Sequence, residues 1–209
     1  MTNIEKLIEE VNKADSADGL LDAVENLADA NSQMAIPTLI EVLGFNNPGA
    51  AVAAVEGLIQ IGEPAVPQLL ETLDTYNYGA RAWTIRAFAG IGDPAALDLL
   101  LKAAVTDFSQ SVRRAAARGL GIINWAKMPA EKVAPAQDEV LKTLFLATED
   151  GEWIVRYAAI TGLHSLGSKF PEKFLSAIAN KFQEILAREP ELVVKARIHL
   201  ALEKWSIIS

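Results

Sequence analysis

Apolar residues recur along the chain at spacings of three and four, as they do on one face of an amphipathic α-helix. Leu97, Leu100 and Leu101 form one such group, and Val112 and Ala116 begin the next. This spacing predicts short helices that come in pairs, each with one apolar face. Because neither helix of a pair can bury its apolar face alone, neighbouring pairs must stack into a shared core.

The pattern also repeats as a larger unit. A shift of 30 positions places IPTLIEVL, residues 36–43, on VPQLLETL, residues 66–73, and it places IGEP on IGDP. A third copy follows after a shift of 32, and a fourth after a shift of 43, because residues 124–137 lengthen the connection. The segments KFLSAIANKFQEIL and VVKARIHLALEKW supply the helices of a last, degenerate copy. Self-similarity of this kind is typical of helical repeat proteins.

These units predict an all-α fold, a HEAT-like α-solenoid (α-α superhelix) of about five helical-hairpin repeats. Residues 1–209 are predicted to form a single domain. It begins with a polar, acidic cap at residues 1–34 and continues with the best-formed repeats at 35–123. The longer connection at 124–137 leads to the C-terminal repeats at 138–209. Solenoids of this class bind along the surface of their second helices, so unusual residues there are candidates for a binding site.

Composition argues against several kinds of chemistry. The 209 residues include no cysteine and only two histidines, so we expect no disulfide, no metal site and no protein thiol for covalent catalysis. We also expect no permanently bound cofactor, and we expect His164 and His199 to be surface or packing residues. The acidic start MTNIEKLIEE is unlike a signal peptide and no apolar stretch reaches the length of a membrane span, which predicts a cytoplasmic protein.

Charge is unevenly distributed along the chain. The net charge of −8 argues against nucleic acid as a partner. Residues 1–75 hold 13 acidic and 2 basic side chains, whereas residues 76–118 hold 3 acidic and 6 basic ones. A locally basic segment therefore follows an acidic N-terminal third.

Some of the basic residues fit the repeat scaffold. In repeats of this class, an Asp before the second helix and an Arg in its first turn commonly bond between neighbouring units. By this rule we pair Asp107 with Arg113 and Asp150 with Arg156, and expect both pairs to have a structural role. Arg81 occupies the equivalent position one unit earlier, in unusual surroundings, and both a scaffold role and a binding role stay open for it.

Three other arginines are harder to explain as scaffold. Arg114 and Arg118 lie one helical turn apart, and the repeat register sets Arg86 in the same column as Arg118. Guanidinium groups gathered on one surface repel each other, so an anion should offset them, either a carboxylate of the protein or one of a ligand. The alternative is that these are scattered, solvent-facing side chains.

Aromatic residues accompany these arginines. The segment YNYGARAW contains Tyr76, Tyr78 and Trp83, and the repeat register puts Trp153 in the column of Tyr78 and Tyr157 in that of Arg114. Exposed aromatic rings beside arginines suit a flat, conjugated ligand with carboxylate arms. They suit the hot spot of a protein interface equally well.

The segments NNPGAAVAAVEGL, YNYGARAWTIRAFAGIGDP and SVRRAAARGLG resemble the beta (F-type) subunit of the heterodimeric E/F phycocyanobilin lyases. The likeness covers most of the chain and is strongest over residues 35–123. The resemblance implies a HEAT-repeat enzyme that acts with a homologous alpha (E-type) subunit. Together they would attach phycocyanobilin, as substrate, through a thioether to a cysteine of the apo-phycocyanin alpha chain. Related subunits that also isomerise the bilin carry a His-Cys motif, which is absent here, so attachment alone is implied.

Under this resemblance the unusual residues acquire roles. Asp74 and Asp107 are candidate catalytic carboxylates that would receive pyrrole N–H groups and stabilise a protonated tetrapyrrole. The candidate bilin-binding residues, which would stack on its rings or clamp its two propionates, are Tyr76, Asn77, Tyr78, Arg81, Trp83, Arg86, Arg114, Arg118, Trp153 and Tyr157. Two alternatives stay open: a non-catalytic HEAT-repeat adaptor, and a related protein that detaches or escorts bilin during phycobilisome breakdown.

Overall fold

A computed structural model describes residues 2–72 and 78–206 of the chain. Within these residues it contains twelve α-helices, joined by turns and short 3₁₀ segments, and no β-strand. The all-α fold predicted from the apolar spacing is confirmed. The chain divides into two compact units, Met1–Ala96 and Leu97–Ser209.

The first unit pairs its helices as the repeat predicts. Its described helices are α1 (Asn3–Lys13), α2 (Ala17–Asp29), α3 (Ile36–Val42), α4 (Pro48–Ile61), α5 (Val66–Glu71) and α6 (Tyr78–Ile91). Helix α4 packs against both α2 and α6, so the longer helices form one layer. Helices α3 and α5 contact each other on the other side of the hairpins.

The start of α4 shows how one repeat is fastened to the preceding one. The side-chain oxygen of Asn47 accepts a hydrogen bond from the backbone N–H of Ala50 at 3.1 Å and so caps the helix. Its amide nitrogen donates to the carbonyl of Ala17, the first residue of α2, at 2.9 Å. Pro48 follows at the first helical position, where its missing N–H costs nothing.

The second unit has the same plan with longer helices toward its C-terminus. Its helices are α7 (Leu97–Thr106), α8 (Gln110–Leu120), α9 (Ala130–Ala147), α10 (Trp153–Lys169), α11 (Pro171–Arg188) and α12 (Leu192–Ser206). The second helices α8, α10 and α12 form a layer, because α10 packs against both of the others. Helices α11 and α12 match the two helices expected of the degenerate last copy.

Small residues set the close spacing of α8 and α10. A Cβ atom added at Gly162 would lie 2.5 Å from the backbone oxygen of Ala117, a distance that no real Cβ tolerates. Glycine at this position therefore allows the two backbones to approach closely. Side chains on the exposed faces of α8 and α10 are held side by side as a result.

Residues 124–137, predicted as a long connection, are partly helical. A short 3₁₀ segment covers Trp125–Lys127, and α9 begins at Ala130. Pro135 lies inside α9, as its sixth residue. A proline this near the N-terminus removes few intrahelical hydrogen bonds.

Candidate functional site

Four predicted site residues fall at the entry to α6. Asp74, Tyr76 and Asn77 lie outside the described residues. Tyr78 is the first residue of α6, and its side chain is also outside the described part. Their candidate roles in bilin binding and catalysis stay predictions.

Within α6 the structure pairs Trp83 with Arg86. The guanidinium carbon of Arg86 lies 4.4 Å from the centroid of the Trp83 ring, which is cation–π geometry. Both side chains are partly exposed, and so is that of Arg81. The tryptophan of the YNYGARAW segment therefore forms a pair with Arg86, one turn later on α6.

Arg114 and Arg118 lie on the exposed side of α8, one turn apart. Neither side chain makes a hydrogen bond or an ion pair with any residue that the structure describes. Two guanidinium groups with unused donors thus face outward from the same helix, in the arrangement that binds carboxylates.

The aromatic residues Trp153 and Tyr157 occupy the corresponding turns of α10. Trp153 is 43% exposed and Tyr157 is 36% exposed. They lie one turn apart, on the helix that packs directly against α8. The second unit therefore places two of the predicted arginines and two of the predicted aromatic residues on adjacent helices.

Asp107 has a different environment from these residues. It is only 8% exposed, and its carboxylate accepts a hydrogen bond from the backbone N–H of Ser109 at 2.9 Å, in the turn before α8. This contact shapes the turn. The candidate catalytic role of Asp107 stays a prediction.

Arg113 forms a bridge between repeats. Its Nε and Nη2 donate to the two carboxylate oxygens of Asp150, at 2.7 and 3.0 Å, in a two-pronged ion pair. Its Nη1 donates to the backbone carbonyls of Asp107 and Phe108. The hydrogen bond with Asp150 raises the pKa of Arg113.

Arg156 repeats this arrangement one unit later. It donates to both carboxylate oxygens of Glu189, at 2.8 and 2.7 Å, and to the backbone carbonyls of Asp150 and Gly151. These hydrogen bonds hold the pKa of Glu189 below its usual range, against the opposing effect of burial.

The scaffold pairing predicted from sequence needs one correction. Bonding between neighbouring units is confirmed, but the named pairs were wrong. Arg113 reaches Asp150 and Arg156 reaches Glu189, the acid of the following unit in each case, and both arginines donate to the backbone of their own unit. The geometric reason is the direction of the arginine side chain, which extends from one second helix to the turn preceding the next. A ladder of ion pairs thus links successive repeats.

A cluster between α10 and α12 was not anticipated from the sequence. Arg197 is 9% exposed; its Nε donates to Thr161 Oγ1 at 3.2 Å, and its Nη2 lies 2.9 Å from His164 Nδ1. His164 in turn packs on Trp205, with ring centroids 5.3 Å apart. A signal was present: Arg197 falls three residues after Val194 and four before Ala201, in the middle of an otherwise apolar helix face.

His164 is neutral in this cluster. Burial, followed by the positive charges of Arg197 and Lys204, lowers its pKa from 6.5 to about 4. Because a guanidinium only donates hydrogen bonds, the contact with Arg197 requires Nδ1 to accept and places the ring proton on Nε2. The packing role expected for His164 agrees with these contacts.

The lowered pKa makes stability depend on pH in a defined direction. Between about pH 6.5 and about pH 4, the unfolded chain binds a proton at His164 that the folded chain does not. Stability should therefore fall as the pH is lowered through this window, by on the order of 3 kcal/mol, and should be unaffected by this group above it. Denaturant unfolding across the pH range measures the effect. His164→Asn, which keeps an acceptor oxygen, should flatten the slope, whereas substitution of the exposed His199 by Asn should not. Equal slopes in all three proteins would contradict the assignment.

The described residues contain no group of three or more His, Asp or Glu side chains arranged to hold a metal ion. No helix in the described ranges is both long enough and apolar enough to cross a membrane.

The family comparison agrees with the architecture. A family model described as HEAT repeats matches residues 4–79 and 66–136. This match covers more than half of the chain, and the hairpin packing within each unit is of the same kind. The chain is a HEAT-repeat protein, with the fold of an α-solenoid.

Relatives with similar sequences extend over nearly the whole chain. The "Phycocyanin alpha phycocyanobilin lyase CpcF" of Synechocystis sp. PCC 6803 is 52% identical over 200 residues, which cover 96% of this chain and 93% of the relative. The "Phycocyanobilin lyase subunit beta" of Nostoc sp. PCC 7120 is 50% identical over 201 residues, covering 96% and 98%.

A solved structure also matches. One chain in the complex of CpcE and CpcF of phycocyanin lyase from Nostoc sp. PCC 7120 superimposes with a TM-score of 0.75 at 50% identity, covering 82% of this chain and 99% of that chain. This chain therefore belongs to the family of phycocyanobilin lyase beta subunits. The resemblance inferred from its repeat segments is confirmed.

Proposed function

We propose that this chain is the beta subunit of a heterodimeric lyase that attaches phycocyanobilin, through a thioether, to a cysteine of the phycocyanin alpha chain. The observation that carries the proposal is the 52% identity to a phycocyanin alpha phycocyanobilin lyase over 96% of this chain and 93% of the relative. The match therefore covers nearly all of the relative that carries this name.

The exposed residues of α8 and α10 fit such a substrate. A linear tetrapyrrole offers flat conjugated rings and two propionates. Trp153 and Tyr157 present exposed ring faces, and Arg114 and Arg118 present unused hydrogen-bond donors among the described residues. Stacking and charge-assisted hydrogen bonds together would hold the bilin in one orientation.

In this reaction the lyase positions the substrates and does not need to supply a reactive group. The thiol sulfur of the acceptor cysteine adds to the ethylidene of the terminal ring, a C–S bond forms, and the thiol proton passes to the tetrapyrrole. Nothing is released and no electrons are exchanged with a third reactant. Fixing the tetrapyrrole beside the thiol lowers the entropic part of the barrier, and carboxylates that accept pyrrole N–H groups would stabilise its protonated form.

We propose the alpha subunit as the partner of this chain, because the matched Nostoc structure is a complex of CpcE with CpcF. A stable heterodimer of this kind would bury more than ~1,000 Å² of surface. The bilin site of the working enzyme would then include groups from both subunits.

A reconstitution assay tests the function. The purified chain, with and without a candidate alpha subunit, is mixed with phycocyanobilin and apo-phycocyanin, and the alpha chain is examined after denaturation. A bilin that remains covalently attached only when both subunits are present is the expected result. Failure to form any adduct would favour the adaptor. Loss of bilin from pre-loaded phycocyanin would favour detachment.

The rings of Tyr76 and Tyr78 can be tested without disturbing the repeat. One unit earlier these columns hold Asn46 and Pro48, and Pro48 is the first residue of α4 just as Tyr78 is the first of α6. The double variant Tyr76→Asn, Tyr78→Pro should therefore fold normally. If both rings stack on the bilin, transfer should slow by about tenfold, at roughly 0.5–1.5 kcal/mol per ring contact. Transfer rate and melting temperature are measured together, and wild-type values of both would exclude a role for these tyrosines.

A further inference from the structure

Arg197 carries a positive charge in a buried setting and has no acidic partner among the described residues. Its side-chain contacts among the described residues are neutral, the hydroxyl of Thr161 and the unprotonated ring of His164. Its Nη1 is shielded from solvent and has no hydrogen-bond partner in the described part of the chain. Buried guanidinium groups are normally paired with carboxylates, so this arrangement lacks an anion.

The guanidinium of Arg197 lies against α10, although the residue itself is part of α12. Its side chain crosses from α12 to contact Thr161 and His164 on α10. The shift of 43 that relates these repeats puts Thr161 in the column of Arg118. Arg197 therefore brings a guanidinium to the place where the preceding repeat has its own arginine.

We propose that Nη1 of Arg197 binds a carboxylate of the ligand, namely one propionate of the bilin, while Arg114 and Arg118 on α8 bind the other. This inference rests on the proposed function. It adds a binding residue from α12 and makes a three-helix face of α8, α10 and α12 the carboxylate-binding surface of the second unit.

The surroundings of Arg197 suit this role. Tyr157, one turn before Thr161 on α10, is 36% exposed. Thr161 donates to the backbone carbonyl of Tyr157 while it accepts from Arg197, so Arg197 is held one helical turn from Tyr157 along α10. Binding at Nη1 requires the side chains that shield it to move aside, and rotations of exposed side chains are fast. The same tyrosine would then stack on the tetrapyrrole whose propionate Arg197 holds.

Esterified bilin provides the test. Phycocyanobilin and its dimethyl ester are titrated against the heterodimer, with wild-type beta subunit, Arg197→Met or Arg197→Lys. The wild type should prefer the free acid. Arg197→Met should lower that preference by about tenfold or more, because a charge-assisted hydrogen bond is lost, and should leave affinity for the ester unchanged. Arg197→Lys, which keeps the charge with fewer donors, should have an intermediate preference.

The exposed Arg188 on α11 supplies a matched control, since Arg188→Met removes the same charge from the same unit and should not change the preference. The inference fails if Arg197→Met weakens acid and ester equally, which would indicate a packing role, or if it keeps the wild-type preference. It also fails if wild-type protein binds and transfers bilin without preferring the acid. A wild-type heterodimer that neither binds nor transfers phycocyanobilin would instead overturn the proposed function.

Discussion

Replacement of Arg156 by alanine is expected to lower the free energy of unfolding by about 3–5 kcal/mol, the cost of breaking a buried ion pair by removing one partner. The side chains of Arg156 and Glu189 are 13% and 3% exposed. Without Arg156, the Glu189 carboxylate keeps only the backbone N–H of Glu191 as a hydrogen-bond donor among the described residues. Two backbone carbonyls, of Asp150 and Gly151, lose a donor as well. Chemical denaturation of the variant measures the loss.

A double substitution shows whether the loss of stability comes from the broken ion pair or from the missing arginine side chain. Arg156→Met combined with Glu189→Leu removes both charges and fills the space with apolar atoms, so most of the stability should return. Arg114→Ala, which removes an exposed arginine from the neighbouring helix, should change the free energy of unfolding by less than about 0.5 kcal/mol. If Arg156→Ala were as mild as Arg114→Ala, the ladder between repeats would not contribute to stability.

Acid should weaken the same bridge. The hydrogen bonds from Arg156 lower the pKa of Glu189 in the folded chain. A carboxyl group with a depressed folded pKa stabilises the protein above its unfolded pKa, and this contribution is lost as the pH falls through the folded value. The stabilisation from Glu189 is therefore lost at lower pH than that at which His164 begins to destabilise the fold, which is near pH 6.5.

The sequence predicted the fold because every repeat obeys the same local rules. Apolar spacing, Pro48 and the capping Asn47 define the hairpins, and each of these signals acts over a few residues. The partner of Arg113 was assigned to the wrong unit because that contact does not depend on local sequence. Which acid an arginine reaches depends on the stagger between successive second helices, and that stagger arises from packing at positions such as Gly162.

The candidate site could be predicted only where a residue departs from the repeat on an exposed face. Trp153 and Arg118 were visible in this way. Arg197 was missed because the last copy is degenerate and offers no repeat register for comparison, which left its place on the apolar face of α12 as the only signal in the sequence. Its importance appears only with the contacts to Thr161 and His164, which join residues more than thirty positions apart in the chain.

The double variant Arg114→Ala, Arg118→Ala is expected to have the largest effect on the ligand. Each charged hydrogen bond to a propionate is worth about 1.5–3 kcal/mol. Because Arg114 and Arg118 lie one turn apart on α8 and would bind the same propionate, their contributions to the binding free energy should be coupled. The double variant should therefore lose between one and about two such contributions. Bilin affinity of the heterodimer should therefore fall by at least about tenfold. The melting temperature should stay the same, because neither side chain has a partner among the described residues.

A charge-matched control decides whether α8 holds the propionate or merely attracts it. Lys132 and Lys142 are exposed on α9, and changing both to alanine also removes two positive charges. If the arginines act only by long-range attraction, both double variants should lose the same affinity. That loss should disappear with added salt, because charges are screened over about 8 Å at physiological ionic strength. Direct hydrogen bonds predict instead that only the α8 variant loses affinity, and that the loss persists at high salt. Equal losses in the two variants would show that Arg114 and Arg118 contribute charge to the surface but do not bind the propionate.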